Sequence, residues 1–228
     1  ATLLNPATGL SGGRQMALAP NLAPLIPVFN ASRLAVVLNV GSLVQPTSKT
    51  NYTNRSVPLP PKLFSHNDQQ SFWQSSSPEG ATSGWGGRIG DLMMSSNGAS
   101  ALTCINASGN AVYLTGRQAI QYGITTNGPV SLLNNATSLF TSATAMSTLR
   151  SLMTGARANL FENEHARISR RSLDLQAQVT AALAAAPALP TNLTNNSLAD
   201  QLRVVARMIS VSQELGARRQ VFFVSLGG

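Results

Sequence analysis

Two runs carry most of this chain's capacity for chemistry: Leu63-Phe64-Ser65-His66-Asn67-Asp68-Gln69-Gln70-Ser71-Phe72-Trp73-Gln74 and Gly84-Trp85-Gly86-Gly87-Arg88-Ile89-Gly90-Asp91. They hold both tryptophans, one of the two histidines and two of the eight carboxylates. His66 and Asp68, two residues apart at a helix start, offer an imidazole and a carboxylate to a metal ion or a substrate. With no ligand, the same pair caps the helix and ties down the preceding loop. Gly86 and Gly87 can present bare amides, and Arg88 a guanidinium, to phosphate or sulfate at a helix N-terminus. The other reading of that turn is tight packing, with Arg88 and Asp91 paired at the surface. Trp73 and Trp85 serve as core and wedge residues or, alternatively, as a ligand platform. No Ser lies in a Gly-x-Ser-x-Gly elbow, and Glu164-His165 lacks the second His of a zinc-protease helix, so His165 reads as a solvated helix residue.

These side chains need elements to position them. Ser65 is placed to cap a helix from His66 toward Gln74, with Asp68 complementing its positive end. Phe72 and Trp73 then face the core, while His66, Asn67 and Gln70 point toward strand ends, where α/β folds bind ligands. A second helix is expected from about Arg88 to Met94. Arg33-Leu34-Ala35-Val36-Val37-Leu38-Asn39-Val40-Gly41 and Gln220-Val221-Phe222-Phe223-Val224-Ser225-Leu226-Gly227-Gly228 are continuous apolar runs, the signature of strands covered on both faces of a parallel sheet. Ala101 to Ile105 and Ala111 to Leu114 suggest a small hairpin turning through Asn106-Ala107-Ser108-Gly109-Asn110.

The remainder reads as connections and helices. Residues 1–24, with Gly12-Gly13 and three prolines, look irregular, with a helical turn near Leu22 to Phe29. Segments 42–62 and 115–140 are long loops, and 143–215 is a helical segment. Within that segment Ala156 to Ala186 runs unbroken until Pro187. Asn196 or Ser197 caps a last helix with an apolar stripe of Leu198, Leu202, Val205 and Ile209. Strands alternating with helices in one chain of 228 residues point to a single α/β layered domain, 1–228.

Composition narrows the function. The formal charge is +8, yet only 11% of residues are charged, and the bases are scattered apart from Arg167, Arg170, Arg171 and the pair Arg218-Arg219. Twelve aromatic residues leave no stacking stripe between them, so no nucleic-acid partner is expected. Cys104 is the single cysteine, which excludes an internal disulfide and a Cys-rich zinc site and suits a buried small hydrophobe. No apolar run reaches the length of a membrane span.

Phe64-Ser65-His66-Asn67-Asp68-Gln69-Gln70 with Trp73-Gln74, then Gly84-Trp85-Gly86-Gly87-Arg88, flanked by Leu34 to Gly41 and Val221 to Gly228, resembles the bacterial domain-of-unknown-function family fifteen-oh-one. That family is grouped by fold with the alkaline phosphatase and sulfatase superfamily. The resemblance implies a partial alkaline-phosphatase-like layered fold, with a mainly parallel sheet, flanking helices and a small hairpin. It implies an exported protein, often sent out behind a twin-arginine leader. It also implies that the full-length relative, with one or two divalent metals held by Asp and His, hydrolyses phosphate or sulfate esters. Segments of the family pattern that bear Asp and His are absent here, so the chain reads as a central fragment. On that reading the fragment has no cofactor and no turnover of its own. His66 and Asp68 are then the only metal candidates, and His66, Asp68, Gln70, Trp85, Gly86, Gly87 and Arg88 are candidates for contact with an anionic ligand. The alternative implied is a secreted, non-catalytic module for an anionic small molecule or a surface polysaccharide.

Overall fold

The computed structural model describes residues 2–37, 41–109, 111–191 and 196–227. The chain forms two compact units, Ala1–Gly41 and Ser42–Gly228. The first contains an antiparallel hairpin, β1 (Thr2–Leu4) with β2 (Met16–Leu18), followed by a 3-10 turn, Pro20–Leu25, and helix α1 (Ile26–Asn30). The helical turn falls where it was expected, whereas the hairpin occupies a stretch read as irregular. The central strand expected over 33–41 does not form in its described part. Residues 34–37 are irregular and Val37 is 76% exposed, while Leu38, Asn39 and Val40 lie outside the described residues. Apolar composition alone does not make a strand, because a strand also needs a ladder partner. The only ladder of this unit among the described residues is the one between β1 and β2.

The second unit is mixed α/β. Its helices are α2 (Lys49–Asn54), α3 (His66–Ser75), α4 (Trp85–Met93), α5 (Ala143–Thr154), α6 (Leu160–Ala185) and α7 (Ser197–Ser210). Its strands are β3 (Cys104–Asn106), β4 (Gln121–Thr125), β5 (Gly128–Pro129) and β6 (Val221–Phe223). The sheet runs in the order β5-β4-β3-β6, with β3 parallel to both β4 and β6 and β5 antiparallel to β4. Segments read as long loops therefore carry α2, β4 and β5.

The hairpin expected over 101–114 is absent. Ser100–Leu102 and Val112–Leu114 are 3-10 turns, and β3 pairs with two distant strands. Residues 107–109 form a loop at the end of a parallel strand, which cannot fold straight back on itself, and Asn110 lies outside the described residues.

Side-chain alternation along the sheet sorts the core into two layers. Ile105, Ile124, Tyr122 and Phe222 face α6 and α7, where Val179, Ala182, Leu183, Val204 and Met208 meet them. Cys104, Val221 and Phe223 point the other way, toward Leu114, Ala119 and the α4 side. Fully burying a side chain the size of Ile105 or Met208 contributes about 2 kcal/mol. The stripe predicted for α7 is partly rotated: Val205 packs against the core as expected, but Ala199, Val204 and Met208 are the buried residues, while Leu202 and Ile209 are exposed.

Cys104 is fully buried, with burial pushing its thiol up to about 11 and the Asp91 charge adding to the shift. Iodoacetamide at pH 8 should leave the native protein unlabelled and modify it in denaturant. Rapid native labelling would contradict the placement of Cys104 between sheet and α4.

Candidate functional site

The His66–Arg88 region is assembled by α3, α4 and the turn between them. Ser65 caps α3 as expected. Its Oγ accepts from the Asp68 amide at 3.4 Å and donates to Asp68 Oδ2 at 2.7 Å. Asp68 Oδ1 accepts from the Glu79 amide at 3.1 Å and lies 3.4 Å from Lys62 Nζ. Asp68 is 4% exposed. The Ser65 hydroxyl, then the Glu79 amide, with a smaller share from Lys62, hold its carboxyl below the usual range against the opposing effect of desolvation. This carboxylate staples the helix start to the chain that follows the helix.

His66 and Gln70, on the same helix, are exposed. The Nε2 of Gln69 is buried without a hydrogen-bond partner among the described residues. Asp68 is already bound by a hydroxyl, an amide and an ammonium, and His66 stands at the surface. Among the described residues no three His, Cys, Asp or Glu side chains come together. His66 and Asp68 therefore do not fit a divalent metal ion.

Trp73 is 50% exposed rather than in the core, and its carbonyl accepts from Trp85 Nε1 at 2.9 Å. Trp85 meets Tyr113 edge-on, with ring centroids 4.5 Å apart, and Gln74 Oε1 accepts from the Tyr113 amide at 3.1 Å. The helix begins at Trp85, three residues earlier than the sequence suggested, so Gly86 and Gly87 lie inside its first turn. Both are buried. A Cβ on Gly86 would strike the Tyr113 ring, and one on Gly87 would overlap the backbone of Thr115 and Gly116. Their side-chain positions face protein and permit α4 to touch the 112–116 segment.

Arg88 Nη2 donates to the Ser75 carbonyl at 3.3 Å, and the expected Arg88–Asp91 pair is not among the ion pairs of the described residues. Asp91 instead accepts from the amides of Arg117, Gln118 and Ala119 at 2.8, 2.9 and 2.7 Å. Desolvation works to raise its carboxyl, but those three amides outweigh it and hold the group below the ordinary value.

A more open arrangement lies at the carboxyl edge of the sheet. Because β3, β4 and β6 are parallel, their C-terminal ends share one edge, the side on which α/β folds bind ligands. A cleft of about 560 Å³ there is lined by Asn106 and Ser108 after β3, Gly123 and Thr126 at β4, and Asp200 and Gln201 on α7. Asn106 is buried and oriented by Gln121 Oε1, to which its Nδ2 donates at 2.8 Å. Gln201 fixes the exit of β6 through both hydrogen bonds to the Ser225 backbone, each 2.9 Å. Asp200 pairs with Arg203.

None of His66, Asp68, Gln70, Trp85, Gly86, Gly87 or Arg88 lines this cleft. The sequence signal that could have found it was the Asn/Ser/Gly loop following an apolar strand, had that strand been taken as parallel. Comparison with protein-family models, curated proteins and solved structures gives no match to this chain.

Proposed function

We propose that the chain is a binding module that takes a polyhydroxylated ligand, such as a stretch of surface polysaccharide, at the carboxyl edge of its parallel strands. The observation that carries this reading is the mixed lining of the cleft: the amides of Asn106 and Gln201, the hydroxyls of Ser108, Thr126 and Ser197 and the Asp200 carboxylate, set among the apolar Ala107, Ile124 and Val130, with Asn106 held in place from behind. Such groups match the paired donor and acceptor character of sugar hydroxyls. Export to the cell surface or beyond is part of this reading and follows from the family resemblance.

Gly123 offers a clean test, because a Cβ built on it meets nothing within 4 Å while the residue lines the cleft. Gly123→Val should fold with an unchanged or raised Tm, since valine favours strands, and should weaken binding of short neutral oligosaccharides about tenfold or more by calorimetry. Equal binding by the variant and the parent would remove the cleft from consideration.

Ester hydrolysis on an alkaline-phosphatase-like fold is the second reading, supported by parallel strands sandwiched between helices together with the resemblance of the Ser65–Gln70 and Gly84–Arg88 motifs. It assigns metal-dependent turnover to a full-length protein in which further segments supply the ligands. Turnover of an aryl phosphate or sulfate by the full-length protein, abolished by a chelator, would favour hydrolysis over binding alone.

A further inference from the structure

The opposite, amino edge of the sheet carries a larger cleft of about 900 Å³, between the chain leading into β3 and the chain leading into β6. Its polar lining includes Ser95, Ser96, Asn97, Gln213, Arg218 and Arg219, and no carboxylate takes part. Glu214 lies in the turn between the lining residues Gln213 and Gly216, is exposed, and is not itself part of the wall.

The two walls are tied together by groups other than the arginine side chains. Gly98 N donates to Gly216 O at 2.8 Å. Asn97 Oδ1 accepts from the amides of Arg218 and Arg219 at 2.8 and 2.9 Å, and its Nδ2 donates to Arg219 O and Thr103 Oγ1, both at 2.8 Å. Gly216, at φ +64°, makes the left-handed turn that brings this segment round. The backbone beneath the two guanidiniums is thus held in place, while neither guanidinium belongs to an ion pair among the described residues. Among the described residues the only side-chain bond of the pair is a 3.4 Å contact from Arg219 Nη1 to the Arg218 carbonyl.

Adjacent positive charges in a carboxylate-free cleft repel each other, and an oxyanion relieves that repulsion. Guanidinium forks and serine hydroxyls match the oxygens of a tetrahedral anion, and a fixed backbone lowers the ordering cost of binding. We propose that this cleft is a second binding site, for a tetrahedral oxyanion of the phosphate or sulfate class. It is independent of the carboxyl-edge cleft.

The test is calorimetric titration of the full chain with inorganic phosphate, sulfate, phenyl phosphate and phenyl sulfate at constant ionic strength, with chloride as control. Saturable binding is expected for at least one of the four, and the preference among them identifies the anion. The Arg218→Gln/Arg219→Gln variant should bind about tenfold or more weakly, because charge-assisted bonds are lost. Arg219→Lys should fall between the two, since it keeps charge but loses the fork. Ser95→Ala/Ser96→Ala, which removes only exposed hydroxyls, should weaken binding without lowering Tm. Unaltered titration of the double arginine variant would overturn the proposal. So would an equal response to chloride, or binding confined to nucleic-acid oligomers with a steep salt dependence.

Discussion

Gly87→Ala is expected to destabilise the protein by about 3 kcal/mol or more, at the upper end of overpacking costs, a large part of the stability of an ordinary domain. Intrinsic propensity argues the other way, since alanine is favoured over glycine in a helix interior by about 1 kcal/mol. The clash decides the sign. A Cβ at Gly87 would overlap the Thr115 carbonyl carbon and the Gly116 nitrogen, which are main-chain atoms unable to rotate aside. Gly84 and Gly116 sit in the same contact, and the Gly84 amide donates to Thr115 O at 2.8 Å, so moving the segment also breaks that bond. Gly86→Ala provides the comparison, because there the obstacle is the Tyr113 ring, a side chain. Denaturant unfolding should rank wild type first, Gly86→Ala next and Gly87→Ala last. A Gly87→Ala protein as stable as the parent would mean that α4 does not touch the 112–116 segment.

That contact marks the boundary of what the residues disclose. The Ser65 cap, the span of α3, the Asn196 cap of α7 and the burial of Cys104 were all legible, because each rests on local chemistry: a hydroxyl near orphan amides, or a lone thiol in an apolar run. The α/β class was legible too, from the apolar run at 221–226 and the helices before it. Its central strand was misplaced. The true one, β3, is only three residues long, and its flanking partners lie 15 or more residues away, too far for periodicity to reveal. The Leu34 run, richer in β-branched residues, remains exposed at Val37.

The candidate site shows the same division. Asp68 was legible as a capping residue because its partner Ser65 is three positions away. Tight packing at Gly86 and Gly87 was one of two readings the sequence left open, since a glycine chosen for a close approach and one that bares its amide to an anion are identical in sequence. The two clefts are lined by segments roughly 100 residues apart, Asn106 with Asp200 and Asn97 with Arg218, and only the parallel register brings them together.

Asp91 illustrates a distant partner displacing a near one, and it carries the second large effect. Spacing pairs it with Arg88, but its oxygens bind three successive amides, 117–119, that lie 26 to 28 residues downstream. Asp91→Ala removes both acceptor oxygens and leaves all three amides without their partner. Arg117 and Gln118 are exposed and recover water, whereas Ala119 is buried and its amide bears the full penalty of an unsatisfied donor. At about 1–3 kcal/mol for the buried donor and less for the others, a loss of about 2–4 kcal/mol is expected at neutral pH. Asp91→Asn should lose less, since its single acceptor oxygen can still serve two of the amides.

The pH dependence follows from the depressed carboxyl. A group held below its unfolded value, about 3.9 for Asp, stabilises the fold fully above that value and loses its contribution as pH falls through the folded value. The stability gap between wild type and Asp91→Asn should therefore be widest at pH 6 and narrow toward pH 3, while Asp68, shifted the same way, acts equally in both proteins. Urea unfolding at the two pH values measures it. A gap that stayed constant would show that the three amides do not hold Asp91 as a carboxylate.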